Sequence, residues 1–332
     1  MATIYVREQG ATVRKTGEQL RVTQQNRELF AIPLANLEQL ILLGNVQITT
    51  PAATLLMRTG VDIVFMSSDG TYRGHMIKMG SKFAQLRHLQ LRLCDDEARA
   101  MEIAAQIVAG KINNQRVVLQ RRTDPDHRIR SALSGMADML HQASSARDLD
   151  QLRGFEGRAA AWYFEGMRAF FSPDWGFETR EYYPPPDPAN ALLSFTYTLL
   201  RKDVEARIQL VGLDPYLGFF HALGYDRPAL ALDLMEEFRP SIADIVVLSL
   251  VTGGHITPAD FERTNTPDLP VKLTPPAIEH LVSAYEDRLS HRVHHPLANG
   301  QTDYRRAIEL QVRQIARVVQ GQEHHYHPLE LR

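Results

Sequence analysis

The hydrophobic pattern of the chain changes its period near residue 80. Up to about residue 78, apolar residues occur in short β-type runs such as TIYV, NVQIT and VDIVFM, separated by EQGA, KTGE and SSDG turns. From about Ser81 they recur at helical spacing, as in LRHLQLRLC and AMEIAAQIVAGKI. The sequence therefore predicts an α+β protein. We expect a small N-terminal β-sandwich-like domain at residues 1–78, a hinge at 79–84 around Met79-Gly80-Ser81, and a larger all-α domain at 85–332.

Composition limits the cellular setting and the kind of surface that can bind a polyanion. A chain of 332 residues with 44% hydrophobic content can bury a sizeable core. A single cysteine, Cys94, excludes an internal disulfide framework, and no N-terminal apolar region or long uncharged apolar run indicates export or a membrane, so we expect a cytoplasmic protein. The formal net charge of -2 means that any DNA-binding surface must be a local patch.

One segment, residues 212–242, places a histidine and two carboxylates beside an apolar helical run. The run ALALDLMEEF contains no Gly or Pro and follows an Asp-Arg-Pro start, so Asp233 and Glu236 should share one helix face. His221 precedes a Gly-Tyr-Asp-Arg-Pro turn that can fold its imidazole back toward this helix. Glu156, in LRGFEGRAAAW, would join from a separate segment. The pattern predicts a split metal site.

The donor set of this predicted site indicates the metal and the chemistry. Carboxylates with one imidazole and no nearby thiolate favour Mg²⁺ or Mn²⁺ over structural zinc. Cutting or joining a phosphodiester requires neutralised phosphoryl oxygens and an oriented oxygen nucleophile, both of which a divalent ion supplies. We therefore expect a metal-dependent phosphodiester enzyme.

The chain contains a set of distinctive motifs: a Gly-x-Glu-Gly helix, an Asn-Ala-Leu-Leu-Ser helix from Asn190, the GFFH…DRPALALDLMEEFRP run, GKINNQR, and SHRVHHP followed by YRRAIELQVRQIARVVQG. Together these motifs resemble the CRISPR-associated integrase family, which inserts new spacers into CRISPR arrays. The resemblance spans almost the whole chain and is weakest in the first eighty residues. It implies an N-terminal β domain joined to a helical catalytic domain.

The resemblance also implies roles and partners. Glu156, His221 and Glu236 match the family's metal-binding residues, and Asp233 matches an additional active-site acid; the catalytic set is therefore Glu156, His221, Asp233 and Glu236. The implied reaction is attack of a DNA 3′-hydroxyl on a repeat phosphodiester. Implied partners are double-stranded DNA with 3′ ends, CRISPR repeat DNA, a second copy in a homodimer, and a small ferredoxin-like CRISPR-associated protein.

Contacts with DNA are expected from a basic stretch at residues 111–130, which holds six Lys or Arg against two Asp. A solvated helix face would give the same pattern. Asn190 and Arg239 are further candidates to position a phosphate, although Asn190 also suits a helix N-cap. The candidate DNA-binding residues are Lys111, Arg116, Arg121, Arg122, Asn190 and Arg239.

Three other features are expected to be less important. Glu237 points about 100° around the helix from Glu236 and is expected to be a solvated charge whose loss is nearly silent. Trp162 and Tyr163 could stack a base but are more typical of a core. The histidine clusters near residues 291–295 and 324–327 lack matched carboxylates and are not expected to form a second metal site.

Two other function classes fit parts of the same pattern. A metal-dependent repair or recombination nuclease would share the site and cut branched DNA without a CRISPR partner. A non-catalytic DNA-binding scaffold would use the carboxylates only to pair with arginines. Only an integrase would join a free 3′ end to a repeat.

Overall fold

The computed structural model describes residues 2–25, 27–35, 37–68, 72–76, 83–121, 126–298 and 300–331. The chain divides into two compact units, Met1–Ser81 and Lys82–Arg332. The predicted hinge residues Met79, Gly80 and Ser81 lie outside the described residues, as does Arg122.

The first unit contains two four-stranded sheets. Its elements are β1 (Ala2–Val6), β2 (Thr12–Thr16), β3 (Gln19–Gln24), β4 (Arg27–Ile32), β5 (Leu37–Leu43), β6 (Gln47–Ile48), α1 (Thr50–Thr59), β7 (Asp62–Met66) and β8 (Tyr72–Met76). One sheet has the order β1-β5-β7-β8, in which β5 pairs in parallel with both of its neighbours and β8 is antiparallel. The other has the order β4-β3-β2-β6, with an antiparallel β2-β3-β4 meander.

The two sheets and α1 share one hydrophobic core. Leu40 and Leu42 from one sheet and Val13 and Val22 from the other belong to the same buried cluster. Their alternation along each strand follows from the two-residue period of β structure. The predicted β-sandwich-like domain is thus confirmed, but α1 was not predicted; it begins with Pro51 in its first turn and ends at Gly60, which has a left-handed φ of 79°.

The second unit is mainly helical. Its helices are α2 (Ala84–Cys94), α3 (Glu97–Gln120), α4 (His127–Ala143), α5 (Leu149–Met167), α6 (Pro188–Val211), α7 (Ala229–Met235), α8 (Ile245–Thr252), α9 (Pro275–Ser290) and α10 (Tyr304–Val319). A π-helical stretch, Arg239–Asp244, leads into α8. The unit also contains two antiparallel hairpins, so it is not all-α as predicted. The hairpins are β9 (Phe261–Arg263) with β10 (Val271–Leu273) and β11 (Arg292–His295) with β12 (Gly300–Asp303).

Aspartate caps define where the long helices begin. The helices α3, α4, α5, α6 and α10 each follow an aspartate whose side chain accepts a backbone N–H of the first turn. Such a cap satisfies a donor that the helix itself leaves unpaired. Within the part of the chain that the structure describes, no helix combines the length and apolar character needed to cross a bilayer.

Candidate metal centre

Glu156 is brought to the site by α5, which packs against α3 and α4. Its side chain is 18% exposed, and Oε1 lies 2.5 Å from Lys111 Nζ on α3. The neighbouring Arg153 does not pair with Glu156; it contacts Asp150 and donates to the Phe220 carbonyl.

Glu236 stands where α7 ends and the chain changes its helical geometry. Pro240 follows closely, and because proline has no N–H it cannot continue the α-helical hydrogen-bond ladder. The buried Glu236 carboxylate lies 2.7 Å from Lys111 Nζ through Oε2 and 2.8 Å from Arg239 Nη1 through Oε1. Burial raises the pKa of this carboxyl, but Arg239, Lys111 and His221 outweigh burial and hold it well below its ordinary value.

Asp233 fixes the backbone and the ring of His221. Its buried carboxylate accepts the backbone N–H groups of Phe219, Phe220 and His221 at 2.6, 3.0 and 2.9 Å. It also lies 2.7 Å from His221 Nδ1. Because the other ring nitrogen is then the one left for a ligand, the arrangement directs Nε2 of His221 toward Glu236, whose Oε1 is 3.9 Å away.

Gly218 explains how the turn before His221 can approach α7 so closely. A Cβ at this position would lie 2.6 Å from the Ala229 carbonyl carbon and 2.7 Å from Asp233 Oδ2. Any larger residue would push the 219–221 backbone away from the carboxylate that it binds. Asp233 therefore acts on the site by positioning His221.

Lys111 was expected on an exposed DNA-binding surface, but the structure buries its side chain within the site. Its side chain is only 6% exposed, and its ammonium group lies between Glu156 and Glu236. Burial lowers the pKa of Lys111, but the two glutamates outweigh burial and raise it above its ordinary value. No local sequence pattern indicates this contact, since Lys111 lies 45 residues from Glu156.

Arg239 connects the site to a second buried network. Its guanidinium lies 4.2 Å from the centre of the Tyr197 ring. The hydroxyl groups of Tyr197 and Tyr163 donate to the two oxygens of Asp244, at 2.6 and 2.7 Å. Burial raises the pKa of Asp244, although both tyrosine hydrogen bonds oppose it. This network was not found from the sequence, and it assigns Tyr163 to the core.

Asn190 serves local structure in the described chain. Its amide donates to the Thr179 carbonyl and to Asp187, and its Oδ1 accepts from Arg180 and from the backbone N–H of Glu181. All of these partners lie in the segment just before α6. Of the remaining candidates for DNA contact, Arg116 is half-buried on α3 and Arg121 is exposed at the end of that helix.

Glu237 is not the solvated charge that was expected. It is 1% exposed and accepts hydrogen bonds from Tyr326 Oη at 2.6 Å, from the Leu329 backbone N–H at 2.5 Å and from Gln311. Burial raises the pKa of Glu237 to about 7. Loss of Glu237 would leave two buried donors, the Tyr326 hydroxyl and the Leu329 N–H, without their acceptor, so its replacement by alanine should destabilise the fold.

The oxygen and nitrogen donors of Glu156, His221 and Glu236 are of the type that a divalent ion binds. Both carboxylates face one point, and Glu236 Oε2 is a buried atom without a hydrogen bond of good geometry, although it forms the ion pair with Lys111. In the described ranges no three His, Cys, Asp or Glu side chains are arranged to hold an ion as they stand. Binding would therefore require the Lys111 ammonium to move from between the glutamates.

The histidine clusters serve other contacts. The buried His295 accepts the Leu297 backbone N–H on Nδ1 at 3.1 Å, and His325 contacts Glu102.

Sequence and structure comparisons give a consistent relationship. The family model for CRISPR associated protein Cas1 matches residues 4–287. The CRISPR-associated endonuclease Cas1 3 of Thermus thermophilus is 36% identical over 335 residues, covering 100% of this chain and 98% of that protein.

Solved structures share the fold. A chain of a Cas6-RT-Cas1–Cas2 complex superposes with a TM-score of 0.88 at 24% identity, covering 100% of this chain and 36% of that one. A casposase bound to integration product gives a TM-score of 0.84 at 22% identity, covering 98% of this chain and 93% of that one.

Proposed function

This chain belongs to the Cas1 family of CRISPR-associated proteins, a family of nucleases and integrases of CRISPR adaptation, and on that premise we propose that it is a metal-dependent DNA endonuclease and integrase. In the proposed reaction, the 3′-hydroxyl of an incoming spacer DNA attacks a phosphodiester of the CRISPR repeat. The attacked phosphorus forms a bond to the new 3′ oxygen, and the bond to the old 3′ oxygen breaks.

One observation carries the proposal: Glu156, Glu236 and His221 Nε2 converge from three separate segments. The two carboxylates meet within 2.7 Å of a common cation, and the imidazole nitrogen lies 3.9 Å from one of them. Two oxygen donors and one nitrogen suit Mg²⁺ or Mn²⁺.

The residues of the chain would divide the work as follows. Glu156, His221 and Glu236 hold the ion, which supplies charge neutralisation at the phosphoryl oxygens. Asp233 keeps the imidazole oriented, and Arg239 holds Glu236 in place through its 2.8 Å contact. The competing repair-nuclease function has no specific observation in its favour, whereas a fold neighbour is described in complex with an integration product.

A metal requirement is the first test. Strand transfer of a 3′-hydroxyl duplex into a repeat duplex should stop in excess chelator and return with MnCl₂ or MgCl₂. Full turnover in chelator would contradict the proposed metal centre. A reaction that yields only cut branched DNA, with no joined product, would instead favour a repair nuclease.

Substitutions form the second test. We expect Glu156→Ala, His221→Ala and Glu236→Gln each to reduce strand transfer by on the order of a hundredfold or more. Gln is chosen at position 236 because Ala would leave Lys111 and Arg239 buried beside an empty space, which threatens folding. Glu165→Ala is the matched control, since Glu165 is on the same helix as Glu156 and makes only a 3.9 Å contact with Arg128.

Binding must be measured beside chemistry for these variants. Measured in chelator, DNA affinity and oligomeric state should change little, because phosphate neutralisation belongs mainly to basic residues. Wild-type integration by the three site variants would contradict the residue assignment.

The proposed assembly is a homodimer that binds a small ferredoxin-like CRISPR-associated protein and double-stranded DNA. Its support is the fold shared with a chain described as part of a Cas1–Cas2 complex. Light scattering of the purified protein, alone and after mixing with the Cas2-type protein of the same organism, tests this assembly. A monomer that forms no complex would contradict it.

A further inference from the structure

Lys111 occupies the point at which the charges of the proposed metal centre meet. Its ammonium lies 2.5 Å from Glu156 Oε1 and 2.7 Å from Glu236 Oε2. The oxygens that would bind a divalent ion are therefore already bound to a cation that belongs to the chain.

The charges around this point are nearly balanced. Glu156 and Glu236 contribute two negative charges, and Lys111 and Arg239 contribute two positive ones, with Arg239 2.8 Å from Glu236. Asp233 is engaged by backbone N–H groups and by His221. A divalent ion entering this balanced cluster would face two neighbouring cations in a poorly solvated place, where charge interactions are strong.

The backbone that carries Lys111 cannot easily move aside. A Cβ on Gly110 would lie 2.4 Å from the Pro328 side chain, so α3 is packed directly against the C-terminal segment there. Three residues further on, the Asn114 side chain donates to the carbonyls of Glu237 and Leu329 and accepts from the Leu331 N–H. Only the flexible four-carbon stem of Lys111 is therefore free to change position.

We propose that Lys111 is an exchangeable counter-cation that competes with a divalent ion for Glu156 and Glu236. When DNA binds, the Lys111 ammonium leaves the two glutamates and binds a DNA phosphate. The inference rests on the proposed function and adds a role that the metal ligands do not have. A phosphate oxygen offers the ammonium an anionic partner in place of the two glutamates. Release of Lys111 then leaves both carboxylates to the ion.

This exchange couples two binding events. DNA should raise the affinity of the protein for the ion, and the ion should raise the affinity for DNA by the same factor, because coupling between two ligands is reciprocal. Without DNA, Lys111 keeps ion binding weak. The centre would therefore assemble mainly on its substrate.

The test measures Mn²⁺ binding to the full chain by the electron paramagnetic resonance signal of free MnCl₂. It uses wild type and Lys111→Met, each with and without a saturating duplex that ends in 3′-dideoxynucleotides, so that no strand transfer occurs. Lys202→Met is the matched control. Lys202 is also a buried lysine paired with a glutamate, 2.7 Å from Glu205, but it does not contact the centre.

We expect Lys111→Met to bind Mn²⁺ at least tenfold more tightly than wild type without DNA, with Lys202→Met unchanged from wild type. With DNA, the affinities of wild type and Lys111→Met should agree within about threefold, because wild-type Lys111 has been released. Equal affinities without DNA would overturn the inference. A tenfold gap that persists with DNA would overturn the release to phosphate.

Three further outcomes are decisive. If Lys111→Met does not fold, the wild-type measurement stands alone, and a Mn²⁺ affinity that DNA does not raise overturns the inference. If wild type binds no Mn²⁺ with or without DNA, the proposed metal centre fails as well. If wild type binds Mn²⁺ tightly and Lys111→Met does not bind it more tightly, only the proposed role of Lys111 is contradicted.

Discussion

The Asp233 carboxylate organises the turn that carries the only imidazole near the two glutamates among the described residues. Its two oxygens accept hydrogen bonds from three backbone N–H groups, and one of them also contacts His221 Nδ1. An ionised carboxylate suits this role because it only accepts, whereas an amide would present an NH₂ group to one of these donors. Asp233 thus differs from Glu236, although the two stand one helical turn apart.

Asp233→Asn should therefore weaken the site without direct loss of a ligand. We expect Mn²⁺ affinity and strand transfer to fall by roughly 10- to 100-fold, as is common when the partner of a ligating histidine is removed. Asp260→Asn is the control, because Asp260 only caps a short turn through Thr257. Mn²⁺ titrations and integration assays on both variants measure these two quantities. An Asp233→Asn protein with wild-type Mn²⁺ affinity would contradict the positioning role.

Glu237 gives a prediction about pH. Burial raises its pKa to about 7 from 4.5, against the hydrogen bonds that it accepts. The folded state therefore holds the proton more tightly than the unfolded chain. The stability that the proton contributes is fully present below about pH 4.5 and is lost as the pH rises through about 7.

Glu237→Gln removes this titration and nearly preserves the shape of the side chain. Relative to Glu237→Gln, the free energy of unfolding of wild type should fall by roughly 1–3 kcal/mol between pH 5 and pH 8. Urea denaturation of both proteins at the two pH values measures it. A difference that does not depend on pH would show that Glu237 does not titrate in this range.

Some of these residue assignments could be made from the sequence and others could not. Asp233 and Glu236 lie on one helix run, and a turn of a few residues returns His221 to it, so local periodicity was enough to group them. Lys111 and Glu237 depend on contacts with segments 45 to 125 and 74 to 92 residues away. Periodicity carries no information about such distant partners, and the assumption that a charge is solvated failed at both positions.

Secondary-structure elements also divide into those that the local sequence predicts and those that depend on packing. The helical character of the chain after about residue 81 was predicted, because apolar residues recur there at helical spacing. The ten-residue α1 and the short hairpins β9–β10 and β11–β12 were missed. Elements this short are held by packing more than by intrinsic preference, and their pattern is too brief to separate from a loop.

The C-terminal segment after α10 is an element without regular structure that closes over the helices of the site. Tyr326 and Leu329 are buried, with Tyr326 donating to Glu237, and the Leu329 and Leu331 backbone groups bind Asn114 and Glu237. Pro328 packs on Gly110, next to Lys111. The segment therefore braces both α3 and the end of α7.

Removal of residues 326–332 should lower the free energy of unfolding by about 5 kcal/mol, from two buried side chains and the polar groups left unpaired. Tyr326→Phe should cost about 1–2 kcal/mol, because it removes only the hydroxyl. Chemical denaturation of the three proteins checks the order. If the truncated chain were as stable as wild type, the segment would not brace the helices.

Taken over the whole molecule, the charge is nearly balanced, so DNA binding must come from where the basic residues are rather than from how many there are. Several of the arginines in the stretch at residues 111–130 are exposed, namely Arg121, Arg128 and Arg130, while Lys111 is withdrawn into the site. The proposed metal ligands and the exposed arginines are thus separate sets of residues. Chemistry and affinity should be separable by mutation.

The salt dependence of DNA binding tests that separation. Each phosphate that a basic side chain neutralises releases about one counterion, so removing one such side chain should make the slope of log K against log salt shallower by about one. Arg121→Ala combined with Arg128→Ala should weaken binding similarly for unrelated duplexes and reduce the slope by roughly one to two, whereas Glu156→Ala should leave the slope unchanged. Arg263→Ala, on the exposed hairpin strand β9, is the matched control. Fluorescence anisotropy over a series of salt concentrations measures wild type and all three variants, and an unchanged slope for the double variant would place the DNA path on another face.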